Sequence, residues 1–154
     1  MSPIIPLNLP QTSLQLSRKE EGIYVQCLIR RKKIKLTPEE WVRQHFIAYL
    51  HQEHRFPLSR IAVEKSIQYA GLTKRWDIVV YDKDFLPYVL VECKAPHVPI
   101  SVDTLYQALT YHKEMQGRFI ALSNGLNHAY YEVDTENKCL SVLEKLPIEG
   151  SSII

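Results

Sequence analysis

Asp77, Glu92 and Lys94 are charged residues set inside two apolar runs, Arg75-Trp76-Asp77-Ile78-Val79-Val80-Tyr81 and Val89-Leu90-Val91-Glu92-Cys93-Lys94. Both runs read as buried strands, where an uncompensated carboxylate costs several kcal/mol and even a neutral unpaired polar group costs about 1–3 kcal/mol. Side chains alternate along a strand, so Glu92 and Lys94 share a face with Leu90, and Asp77 shares one with Val79 and Tyr81. A hairpin with the charged sides matched brings Asp77 beside Glu92 and Lys94. Two adjacent carboxylates repel, and one takes up a proton unless a cation lies between them. Mg²⁺, with Mn²⁺ as a substitute, suits Asp77 and Glu92 as ligands, because it prefers oxygen donors and is commonly held by one or two carboxylates plus water and phosphate. A metal so held polarises a phosphoryl oxygen and activates a bound water, while Lys94 orients that water or stabilises charge on the phosphate. The competing reading is a structural charge cluster in which Lys94 neutralises the acids.

The surrounding elements must position these groups. Thr37-Pro38-Glu39-Glu40 has the form of a helix start, with Thr37 as N-cap, Pro38 at the first position and Glu40 in the capping-box position. The helix is expected to reach Gln52, with Trp41, Val42, His45, Phe46, Tyr49 and Leu50 on one face. Glu39 projects near the edge of that face and can reach a site; Glu40 projects away and is assigned to the cap. Upstream, Ile23–Ile29 and Lys33–Leu36 flank Arg30-Arg31-Lys32 as a hairpin with a basic tip, preceded by an extended proline-containing arm over residues 1–21. Strands are expected at Ile61–Ile67, Lys74–Tyr81, Tyr88–Lys94, Phe119–Leu122, His128–Val133 and Cys139–Leu143, with a helix over 102–115. Pro96 and Pro99 end the strand that carries Glu92. Glu64 reads as an exposed strand residue and His97 as an ordinary loop histidine. Lys74 and Arg75 flank the acids and suit contacts to a nucleic-acid backbone. The predicted order is an α/β domain over 22–146 with a mixed sheet, followed by a frayed tail over 147–154.

Composition narrows the class. The chain has 154 residues, 45% hydrophobic and 23% charged, in the range of one globular domain with a real core. Its net charge of +2 gives no global field for a polyanion, so any such surface must be local. The three cysteines, Cys27, Cys93 and Cys139, form no CxxC pair, which argues against a disulfide framework or cysteine zinc site and fits a reducing cytoplasm. No apolar run is long enough to span a membrane.

Asp77 followed by Glu92-Cys93-Lys94 resembles the Asp…Glu-x-Lys core of the PD-(D/E)XK nucleases, with Trp76 in place of the usual proline before the acid. Gln107-Ala108-Leu109-Thr110-Tyr111 is similar to the Gln-x-x-x-Tyr motif of RecB-like nucleases, and its two end residues lie on one helical face. Thr37–Gln44, Lys74–Val80 and Ser123-Asn124-Gly125 resemble the N-terminal nuclease domain of type I restriction enzyme R subunits, and the likeness extends over roughly residues 22–135. The resemblance implies a restriction-endonuclease-like three-layer fold, with a central mixed sheet flanked by helices, and metal-dependent phosphodiester hydrolysis of DNA. It implies Asp77 and Glu92 as metal ligands, Lys94 as catalytic lysine, Gln107 as a site-lining or DNA-contacting residue, Tyr111 beside it, and Glu39 as a first-helix acid. It further implies DNA, other restriction subunits or a motor protein as partners, and a homodimer where both strands are cut. R subunits carry ATP-driven motor domains, whereas this sequence has no G-x-x-x-x-G-K-[S/T] loop, so a stand-alone domain or a piece of a larger protein is expected. A catalytically silent binding or assembly module on the same fold is the alternative.

Overall fold

The computed structural model describes residues 2–150. A six-stranded sheet lies between two helices, the three-layer α/β architecture expected for a restriction-endonuclease-like domain. The chain enters through β1 (Leu16–Lys19), β2 (Gly22–Gln26) and β3 (Lys33–Lys35), which form a small antiparallel sheet. The predicted basic-tipped hairpin is β2–β3, with Tyr24 opposite Lys35. β1 falls within the segment expected to be a plain arm; its backbone completes the outer edge of β2. Then come α1 (Pro38–Gln52), a short 3₁₀ turn (Leu58–Arg60), β4 (Ile61–Tyr69), β5 (Leu72–Tyr81), β6 (Pro87–Cys93), α2 (Val102–His112), β7 (Phe119–Ser123), β8 (His128–Asp134) and β9 (Cys139–Leu143). The main sheet follows chain order from β4 to β9. All neighbours are antiparallel except β6 and β7, which α2 joins as a parallel crossover.

Local chemistry sets the helix starts. Thr37 Oγ1 accepts from the Glu40 amide at 3.0 Å, and Pro38 follows it. Ser101 and Thr104 form a reciprocal capping box at α2. α2 ends at His112, earlier than the expected 115, yet Met115 still packs under it. α1 packs on one face of the sheet, where Val42, Phe46, Ile47 and Leu50 meet Ile78, Val80, Val89, Val91 and Cys93. α2 covers the other face through Ala108, Leu105 and Leu109 against Val79, Leu90, Ile120 and Leu122.

α1 is not the one-sided helix its apolar spacing suggests. Arg43, Gln44, His45 and Ala48 are buried along with the apolar stripe: Arg43 faces acids of α1 and β5, Gln44 Oε1 accepts from the Leu28 amide at 3.0 Å, and the N-terminal arm borders Trp41 and His45. The Trp41 indole donates to the Ile5 carbonyl at 2.8 Å, and Leu7 and Leu9 join the core beneath. The Asn8 amide donates to the Gly125 carbonyl at 2.7 Å, and its own carbonyl lies 2.8 Å from His128 Nε2. Pro147–Glu149, expected to fray, are instead tied down: Leu146 is buried, the Glu149 amide donates to the His54 carbonyl at 2.7 Å, and Arg60 pairs with Glu149 at 2.7 Å. Residues 151–154 of the expected tail lie outside the described residues. No helix among the described residues is long and apolar enough to cross a membrane.

Gly125 is where arm, helix and sheet meet. Its φ is +85°, and a Cβ there would stand 2.8 Å from Leu7 Cδ2 and 3.0 Å from Val42 Cγ2. Gly125→Ala therefore combines backbone strain with a steric clash and should cost about 2 kcal/mol or more. Urea denaturation should show the lowered midpoint, and limited proteolysis should cut within residues 2–13 first.

Candidate active site

The candidate site is built where β5 and β6 separate. Their ladder runs from Tyr81 opposite Pro87, through a register shift, to Ile78 opposite Val91 and stops there, whereas β6 stays paired with β7 as far as Cys93 opposite Ser123. The Cys93 amide, released from the β5 ladder, donates instead to Asp77 Oδ2 at 2.8 Å. A polar cleft of about 490 Å³ opens at this fork, lined by Glu39, Glu40, Arg43, Glu64, Arg75, Asp77 and Glu92. Lys94 stands just past it with Nζ 3.4 Å from Glu92 Oε1.

The cation that lets acids sit here is Arg43, which the sequence reading left unassigned. Its Nη1 is 2.5 Å from Glu40 Oε1, and its Nη2 is 2.7 Å from Asp77 Oδ1 and 3.3 Å from Glu39 Oε1. Arg43, Glu40 and Asp77 are all nearly inaccessible, at 7%, 5% and 8% exposure. Burial opposes the guanidinium charge, but Asp77 and Glu40 outweigh it and hold Arg43 firmly protonated. Glu40 is therefore not an outward-facing cap residue. Its amide serves the cap, while its carboxylate turns inward to Arg43 and accepts from Gln44 Nε2 at 3.0 Å. The signal for this was available: Glu39, Arg43, Phe46 and Leu50 follow i, i+4, i+7, i+11 spacing, and an arginine on a buried stripe requires acid partners.

Glu64 was read as exposed and uninvolved, yet it lines the cleft. It pairs closely with Arg30 from the β2–β3 connection and lies 3.7 Å from Arg43 and 3.8 Å from Arg75. Its φ is +52°, a left-handed conformation that costs about 1–3 kcal/mol for a residue with a side chain. Glu64 and Asp77 occupy the interrupted rung between Val63–Ile78 and Lys65–Trp76. On either side of that rung the strands change face. Val63 and Ile78 pack under α1, whereas Ile67 and Trp76 pack under α2. Regular alternation would have kept Trp76 with Ile78. This switch brings Asp77 within reach of α1 and gives Trp76 a core role under α2.

The remaining acids are short of positive charge. Burial, then the nearby Asp77 carboxylate, pushes Glu92 up to about 7, only partly opposed by Lys94. Burial and Asp77 also raise Glu39. Neighbouring carboxylates that hinder one another's ionisation would be relieved by a hard divalent cation between them. Among the described residues no three His, Cys, Asp or Glu side chains converge tightly enough to enclose an ion. Asp77 and Glu92 are the pair that could hold a Mg²⁺ ion, which one or two carboxylates bind together with water and phosphate.

Of the sequence-predicted site residues, Asp77, Glu92, Glu39 and Arg75 line the cleft and Lys94 adjoins it. Gln107 does not; it is exposed on α2. Tyr111 packs edge-on to Tyr69, with ring centroids 6.0 Å apart, and Lys74 Nζ sits 5.6 Å from the Tyr111 ring centroid. Lys74 and Tyr111 thus form a cluster along the hairpin, outside the cleft lining. All three cysteines are free, and Cys93 is buried behind the site.

The chain matches the model of the type I restriction enzyme R protein N terminus over residues 38–147. It belongs to that family. No curated protein matches the chain. Among solved structures, a fragment described as an HsdR subunit of a type I restriction enzyme from Vibrio vulnificus YJ016 aligns with a TM-score of 0.45 and 20% identity. The alignment covers 66% of this chain and 23% of that one, so this R-protein N-terminal domain spans under a quarter of that chain's length.

Two outcomes test the electrostatics. Arg43→Ala leaves Glu40 and Asp77 buried without their cation and should cost about 3–5 kcal/mol by chemical denaturation. For Glu92, the raised folded-state pKa means that the folded chain holds more protons than the unfolded chain between the ordinary carboxylate range and about 7. Its contribution therefore becomes less favourable as pH rises through that window, then levels off. Without divalent metal, Glu92→Gln should gain stability relative to the parent protein as pH goes from 5 to 8. Paired thermal melts across that range measure the difference.

Proposed function

We propose that this domain is a Mg²⁺-dependent nuclease that hydrolyses DNA phosphodiesters, with Mn²⁺ able to substitute. The observation that carries the reading is the convergence of Asp77, Glu92 and Glu39 on one polar cleft, with Lys94 against Glu92. Asp77 and Glu92 would hold the metal, and Glu39, which lines the same cleft, would be a further hydrogen-bond acceptor there. Lewis-acid polarisation of a phosphoryl oxygen and a lowered pKa for water are the chemistry a bound Mg²⁺ supplies. Lys94 then donates to the attacking water or to a non-bridging phosphate oxygen, stabilising charge that grows in the transition state. Glu92 must be ionised to act as a ligand, so at sub-saturating Mg²⁺ cleavage should rise with pH through about 7, and the rise should move to lower pH as Mg²⁺ saturates.

Arg75, whose side chain is 60% exposed at the cleft, suits a backbone phosphate contact. Lys74, Tyr111 and the exposed Gln107 extend that surface toward α2, with Gln107 a nucleic-acid contact and not a participant at the cleft. Other restriction subunits and a motor domain are the proposed protein partners, and a homodimer would supply two sites for two strands. A second reading, a catalytically silent nucleic-acid-binding or assembly module, is favoured by one observation: Asp77 Oδ1 is already engaged by Arg43.

Incubation of plasmid and linear DNA with the protein and Mg²⁺ or Mn²⁺ separates the two. For the nuclease, Lys94→Ala should lower cleavage by about 100-fold or more while DNA binding persists. Equal cleavage by the variant would remove Lys94 from the chemistry. Binding with a steep salt dependence and no cleavage under any metal would support the silent module.

A further inference from the structure

Arg43 sits among more acids than it can serve well. Its two terminal nitrogens contact Glu40, Asp77 and Glu39, and Nη1 also lies 3.7 Å from Glu64 Oε1, beyond a good hydrogen bond. Its third nitrogen, Nε, is buried and has no hydrogen-bond partner among the described residues. A guanidinium offers five N–H donors in a rigid fork, and a buried one left unused shows that the present pairing does not satisfy Arg43 fully. The oxygen it holds most tightly outside its own helix is Asp77 Oδ1, while Asp77 Oδ2 is fixed by the Cys93 amide. A divalent ion approaching Asp77 would meet both an occupied oxygen and a like charge.

We propose that Arg43 is a resident counter-cation that competes with the divalent metal for Asp77, so that metal entry and the Arg43–Asp77 ion pair exclude one another. The inference rests on the reading of Asp77 as a metal ligand. Glu64 supplies the alternative acceptor through Oε1, its Oε2 being held by Arg30. It projects into the same cleft from a left-handed backbone position, is already within 3.7 Å of Nη1, and its side chain is 32% exposed, so it has room to adjust. Turning the guanidinium toward Glu64 frees Asp77 Oδ1 and keeps Glu40 paired through Nη1. The metal-free domain is thereby held together at the fork by its own cation, and Arg43 acts as a positioning residue rather than one that touches substrate.

Isothermal titration with Mn²⁺ tests this on the parent protein, Asp77→Asn, Arg43→Lys and the double variant Glu40→Gln/Arg43→Met, which removes the buried acid and base together. The expected result is metal binding by the parent, its loss in Asp77→Asn, and binding about tenfold tighter in the double variant. Arg43→Lys, which keeps the charge and cannot make the forked contact, should shift in the same direction by less and serves if the double variant does not fold. In the parent, saturating Mg²⁺ should move the Arg43 Nε–H signal in ¹⁵N spectra as the pair with Asp77 opens. Parent binding that Asp77→Asn abolishes, with no tightening in the Arg43 variants and an unmoved Nε–H signal, overturns this proposal and leaves the metal reading intact. No Mn²⁺ binding by the parent overturns both.

Discussion

A single guanidinium placed among carboxylates from a helix and two strands sets the terms for the rest of the domain. Glu40 comes from the first turn of α1 and Asp77 from the middle of β5. Neither acid could be buried at that depth alone, and Arg43 could not be buried without both. The helix therefore cannot slide or rotate on the sheet without unpairing a charge, and the apolar contacts of Phe46 and Leu50 are made in the one setting the ion pairs allow. Hydrophobic burial supplies most of the attraction, and the buried charges supply the register.

The same arrangement explains why the cleft is chemically uneven. Arg43 satisfies the inner acids, Glu40 and Asp77, and leaves the outer ones, Glu39 and Glu92, crowded. A site with one compensated half and one repelling half is poised to take up further positive charge. Lys94 offsets only part of that repulsion from its position against Glu92.

Much of this was legible in the chain. Apolar runs, turn residues and the Thr37-Pro38 start located the main strands and the first helix, because those signals are local. Asp77, Glu92 and Lys94 stood out because charge inside an apolar strand demands a reason. Glu64 did not, since nothing in Ile61–Ile67 announces a left-handed residue; that conformation follows from the change of face shared with β5. Arg43 could have been found from its place on the apolar stripe of α1. The burial of the outer side of α1 could not, because it depends on Ile5, Leu7 and Asn8 returning across long sequence separations. The second strand face likewise hid the true role of Trp76, which packs under α2 although its neighbour two residues on packs under α1.

The fork between β5 and β6 divides the proposed metal ligands between two bodies. Glu92 travels with β6 and β7, deep in the sheet, while Asp77 travels with the long β4–β5 hairpin, whose tip at Ala70 and Gly71 is exposed. Beyond Ile78 the Asp77–Cys93 bond and the Arg43–Asp77 pair tie that hairpin to its neighbours at the fork, Glu64 holds Arg30, and Ile67 and Trp76 pack under α2. The hairpin is thus held along its base by charge and packing, with only its tip standing clear. The distance between Asp77 and Glu92 is therefore set by side-chain contacts across the fork and not by the strand ladder alone.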